Sequence, residues 1–187
     1  MRPRTPPLLA GALTLAAALL APQSAAQIQR ISLREMARRA DGCVLGTITA
    51  REVVRIDHPS DGPELYYTFL TIAGTSLVDG RPLEVEVAYP GGFLDAENGA
   101  YNSVAPAEDD VRTGNRVVAF YAWEENIGGD LAANALFGSR GGLYRTYRAK
   151  GRTIIQGRGE GYAIASNMTA DRCRARLREA RRPEVKR

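Results

Sequence analysis

The run Cys43-Val-Leu-Gly-Thr-Ile-Thr-Ala-Arg-Glu-Val-Val-Arg-Ile56 is rich in valine, isoleucine and threonine. These residues suit a pleated, half-buried surface, and the run predicts one unusually long strand. The segment that follows, His58-Pro-Ser-Asp-Gly-Pro63, is a turn by composition. Residues 65–77 then predict a second long strand, with Tyr66, Tyr67, Phe69, Leu70 and Ile72 as its apolar bulk. Asp79-Gly80 is a hairpin turn signal. Beyond it, residues 83–89 alternate, with Leu83, Val85, Val87 and Tyr89 on one face and Glu84 and Glu86 on the other.

Pro90-Gly91-Gly92 ends that strand, and a polar loop runs from 94 to 114. Residues 116–123 predict another buried strand. Gly128-Gly129, Gly138 and Gly141-Gly142 punctuate two shorter segments, 131–137 and 143–148, and a last strand is expected at 152–156. Helix signals occur only at the ends. Ser32-Leu-Arg-Glu35 matches a capping box, followed by Leu33, Met36, Ala37 and Ala40 on one face. Thr169 can cap a second helix whose stripe is Ala170, Cys173, Leu177 and Ala180, with Pro183 to stop it. The chain is mainly β. Five to six strands of uneven length with glycine-rich bends favour a small closed or partly open OB-like barrel, although the pattern by itself also fits a sandwich.

The first 26 of the 187 residues have a different character. Arg2 and Arg4 precede an apolar run from Leu8 to Ala21, and Ser24-Ala25-Ala26 offers small residues for cleavage. That is a signal peptide, with residues 27–168 as the barrel domain and 169–187 as a basic helix and tail. A run of 14 residues rises about 21 Å as a helix, short of a hydrocarbon core of roughly 30 Å. No later stretch is long enough to span a membrane, so a periplasmic or secreted protein is expected. The net charge of +4 divides unevenly, since residues 169–187 carry eight bases against three acids. In an oxidising compartment Cys43 and Cys173, the only two cysteines, are expected to pair. Closing so long a loop would stabilise the fold by about 4–5 kcal/mol.

Several of these pieces occur in a recognisable order: Ser32-Leu33 to Ala40-Asp41, Val44-Leu-Gly-Thr-Ile48, Tyr67-Thr68-Phe69, Asp79-Gly80, Val85 to Val87 with Pro90-Gly91-Gly92, and Gly114-Asn-Arg-Val-Val-Ala-Phe120. Over residues 32–148 that order resembles a secreted bacterial OB-like barrel domain, distantly similar to the netrin-like domain of tissue inhibitors of metalloproteinases. The resemblance implies a barrel outside the cytoplasm. Those inhibitors chelate zinc through an N-terminal cysteine, whereas cleavage here would expose Gln27, so the inhibitory chemistry is not implied.

Chemistry-bearing motifs are sparse. His58 is the only histidine; Asp57-His58-Pro59-Ser60 places nucleophile, base and orienter in one turn, which cannot easily adopt triad geometry. Glu108-Asp109-Asp110 could gather a hard cation, but no EF-hand spacing surrounds it. Glu124-Glu125 are adjacent in a strand and point to opposite faces, unlike a glycosidase pair. Asn167-Met168-Thr169 matches a glycosylation sequon, although a helix cap explains its threonine better. No phosphate loop or cofactor motif is present, and no cofactor or metal is expected. Arginines and tyrosines interleave in one segment only, and Arg140, Tyr144, Arg145, Tyr147 and Arg148 form the candidate ligand surface. Nucleic acid is disfavoured by export and by the acidic body. The expectation is an exported, non-enzymatic binding module for a protein or envelope component. Protease inhibition and a small hydrolase using His58 are the alternatives.

Overall fold

The computed structural model describes residues 31–57 and 64–182. The leader, His58 and the end of the basic tail lie outside the described residues. Among those described, no helix is long and apolar enough to cross a membrane.

Helix α1 (Leu33–Arg39) begins at Ser32, whose Oγ accepts a hydrogen bond from the Glu35 N–H at 3.1 Å. The Glu35 carboxylate engages Arg39 one turn on. Strand β1 (Gly42–Ile56) pairs antiparallel with β2 (Leu65–Ser76) along nearly its whole length, and β2 pairs with β3 (Pro82–Pro90). A small hairpin follows, β4 (Gly92–Phe93) with β5 (Gly99–Ala100). Strand β6 (Arg116–Glu124) returns to pair with the start of β1. Strand β7 (Ala133–Leu136) lies antiparallel to β6 and meets β3 in parallel at Ala88 and Ala135. The sequence β1-β2-β3-β7-β6 and back to β1 closes a five-stranded barrel of OB-like form. Outside it, β8 (Leu143–Ala149) pairs with β6, β9 (Arg152–Ile155) with β8, and β10 (Met168–Thr169) with β9. Helix α2 (Ala170–Ala180) completes the described chain. Its cap is the Thr169 Oγ1, which accepts from the Arg172 N–H.

Alternation along β1 and β6 explains why both read as unbroken apolar runs. Val44, Ile48, Val117 and Ala119 face the barrel interior with Leu70, Ile72 and Val87. Cys43, Leu45, Val118 and Phe120 face outward and are covered by Met36 of α1, Leu177 of α2 and Tyr144 of β8. The wall is therefore buried on both sides. At its tightest point Gly46 lies opposite Gly74; a Cβ on Gly46 would come 2.5 Å from the Ala73 carbonyl oxygen.

The expected Cys43–Cys173 disulfide is not present. Both cysteines are buried free thiols in the outer cluster. The seam that brings their elements together is held by packing and by two arginine caps. Arg181 donates from Nε to the Ala37 carbonyl (2.8 Å) and from Nη2 to those of Ala40 (2.7 Å) and Asp41 (3.2 Å). Reciprocally, the Arg38 Nε donates to the Ala180 carbonyl at 3.2 Å. These contacts fix how α2 sits on α1 and β1, and at that spacing the sulfurs do not reach bonding distance. Burial pushes the Cys43 thiol well up, helped by nearby Cys173, and raises Cys173 to about 11.

Candidate ligand groove

A groove of about 450 Å³ opens at the barrel mouth, between the β4–β5 hairpin with its following loop and the segments around Arg140 and Arg158. Its size lies within the roughly 300–1,000 Å³ usual for small-ligand sites.

Three local devices aim side chains into it. The first is a bulge in β1. Ile48 pairs with Ile72 and Ala50 with Thr71, which leaves Thr49 as the extra residue. A bulge shifts the facing of every later residue by one. Even-numbered Val44 and Ile48 face the interior before it; after it Arg51 and Val53 share the face of Leu70 and Thr68. The second device is the turn out of β3. Gly91 and Gly92 have φ of 98° and 135°, a conformation side chains resist. The buried Thr68 hydroxyl donates to the Gly91 carbonyl at 2.7 Å, and a Cβ on Gly92 would collide with that hydroxyl. The third is the turn before β8. Ser139 sits at φ 52° between Gly138 and Arg140, and the Arg140 N–H donates to the Val104 carbonyl at 2.9 Å. A left-handed serine costs on the order of 1 kcal/mol and persists only where its surroundings impose it.

Three guanidiniums meet here. Arg51 makes a two-pronged pair with Glu108, with Nη2 3.0 Å from Oε2. Burial is the largest single influence and lowers its proton affinity, but the hydrogen bonds and charges of Glu108 and Tyr89 together outweigh it and the net shift is upward. Arg158 reaches Asp110 at 2.6 Å, donates from Nε to the Leu143 carbonyl at 2.9 Å, and lies 6.0 Å from the Tyr162 ring centre. Among the described residues Arg140 has no ion-pair partner. The Nε atoms of Arg51 and Arg140 are both buried without a hydrogen-bond acceptor. The trio keeps one positive charge beyond its two carboxylates. A guanidinium fork of this kind matches a carboxylate or phosphate oxygen pair.

Of the five residues expected to form a ligand surface, only Arg140 lines this groove. Tyr144 is buried instead. Its ring meets Phe120 edge-on at 6.4 Å, its hydroxyl accepts from the Ile164 N–H at 3.3 Å, and burial pushes its phenol up to about 12. Arg145 borders a neighbouring recess with Asp110 and Arg158. Tyr147 is exposed and accepts from the Asn167 amide, and Arg148 is exposed on the same strand. Arg51, Arg158, Tyr101 and Tyr162 carry no motif that would single them out; Arg51 becomes visible only once the bulge is known.

The acidic triplet does not form a cation site. Glu108, Asp109 and Asp110 turn to Arg51, Arg112 and Arg158 respectively. Among the described residues no group of His, Cys, Asp and Glu is arranged to hold a metal. Glu124 and Glu125 are exposed at the end of β6.

No protein-family model, curated protein or solved structure matches the chain. The OB-like barrel stands on its own strand order, and no relative supports the likeness to netrin-like inhibitors.

Proposed function

We propose that the protein is an exported, non-enzymatic binding module that holds an anionic ligand in the groove at the barrel mouth. The leader-like first 26 residues support export. The observation that carries the binding reading is Arg140, a guanidinium with a buried, unsatisfied Nε held on a strained turn. Buried donors are ordinarily paired, and a ligand oxygen would supply the missing acceptor. Amide-resolved NMR titration with small anions tests it. Shifts at residues 101–108 and 139–141 that vanish in Arg140→Gln are expected; their absence for every anion would remove the reading.

Protease inhibition remains a second reading because the β4–β5 hairpin presents Phe93 and Leu94 to solvent on a tightly tied turn. Asp95 accepts from the Glu97 and Asn98 N–H groups and from the Asn98 amide, and the Asn98 side-chain bond leads in holding its carboxyl low. Titration against metalloproteases and serine proteases decides this. No inhibition at micromolar protein excludes it.

A further inference from the structure

Resting on the anionic-groove reading, we propose that the ligand is an acidic saccharide in which an isolated carboxylate, borne on a sugar ring, docks at Arg140.

The first argument is charge. Glu108 and Asp110 compensate two of the three arginines, so the site keeps a single positive charge. One carboxylate matches that charge. A phosphate dianion, and still more a chain of closely spaced phosphates, would overshoot it. The preferred partner therefore carries its charges apart, with neutral units between them.

The second argument is the rim. Tyr101 is 83% exposed and Phe93 55% exposed, and both border the groove. Rings left in water beside a charged pocket present flat apolar surface with, at Tyr101, a polar tip. The apolar face of a pyranose fits such a surface. The third argument is the neutral polar complement. Asn102 uses its Oδ1 to accept from the Val104 N–H, so its amide NH₂ remains as a donor, and Ser103 is an exposed hydroxyl next to it. Sugar hydroxyls need such uncharged partners in addition to a cation.

The probe is a hyaluronan hexasaccharide, in which a uronate alternates with a neutral sugar. It is titrated by calorimetry and NMR into the protein as exported, beside chitohexaose, inorganic phosphate and a single-stranded oligonucleotide. The expected result is that the hexasaccharide binds and shifts residues 101–108 and 139–141, and that neutral chitohexaose binds at least tenfold more weakly. Arg140→Gln should lose at least tenfold, and Tyr101→Ala, at an exposed position, should weaken binding with an unchanged melting temperature. Arg140→Lys should recover part of the loss, which a merely misfolded groove would not. Equal affinity for chitohexaose would overturn the carboxylate, and Arg140-dependent binding of phosphate or oligonucleotide in preference to the hexasaccharide would overturn the saccharide while leaving an anionic groove. If no probe binds through Arg140, both proposals fall together.

Discussion

Replacing Arg181 with methionine should loosen the helical cover of the barrel more than its position near the described chain end suggests. The methionine keeps most of the apolar stem but removes the donors that reach Ala37, Ala40 and Asp41. Hydrogen bonds from a charged donor contribute about 1.5–3 kcal/mol each when well shielded. Arg181 is only partly buried, so solvent screening reduces the three together to about 2–3 kcal/mol. Its charge also sits where the last carbonyls of α1 point, and a cation there adds about 0.3–1 kcal/mol. For a chain of this size each kcal/mol moves the melting temperature by about 2–4 °C, so with both contributions lost a fall of roughly 5–16 °C is expected. Circular dichroism melting of wild type, Arg181→Met and Arg181→Lys measures it. Lysine keeps the charge but cannot span three carbonyls, and should fall between the other two. If all three proteins melt within a degree of one another, the caps do not hold the helices and the reasoning fails.

Gly46→Ala should destabilise by about 1–3 kcal/mol, because its Cβ would be driven against the Ala73 carbonyl; an unchanged denaturation midpoint would show that the wall can yield there. A thiol reagent at pH 8 should label neither cysteine in the native protein and both after unfolding, since both thiols are buried and held protonated. Because folding raises these thiols, their contribution is full below the unfolded value near 9 and is lost as pH climbs, for Cys173 through about 11. Urea midpoints should thus fall between pH 9 and 11, and by less in Cys173→Ala. Asp110→Asn should release Arg158 from an ion pair whose side chains are only 18% and 20% exposed. It should lower stability by on the order of 1–2 kcal/mol while tightening anion binding, which calorimetry with the hexasaccharide would detect.

Most of the barrel was legible because alternation is a local signal. Residues 83–89 show it plainly, while β1 and β6 hide it only because both of their faces are covered. The serine and threonine caps were equally local. What escaped depends on geometry that composition does not carry. The Thr49 bulge changes which face Arg51 occupies, yet threonine is an ordinary strand residue and nothing nearby marks the extra step. Tyr144 looked like a surface aromatic beside arginines, but β8 lies beneath the loop that contains Ile164 and its ring is enclosed. The two cysteines were correctly assigned to one seam. Sharing a seam does not fix their separation to within an ångström, which is what a disulfide requires.

The closing strand pair also sets a timetable for assembly. Residues 42–47 find their second partner in residues 116–121, about 70 positions downstream. The β1–β2–β3 meander can form as soon as it is synthesised, but the open edge of β1 must wait. Counted from the end of the meander at Pro90 to residues 116–121, at 5–20 residues per second that delay is roughly 1–6 s. During it, Val44 and Ile48 have no lid and the strand edge is free to pair with another chain. That interval, before residues 116–121 cover the edge, is when the chain is open to edge-to-edge pairing.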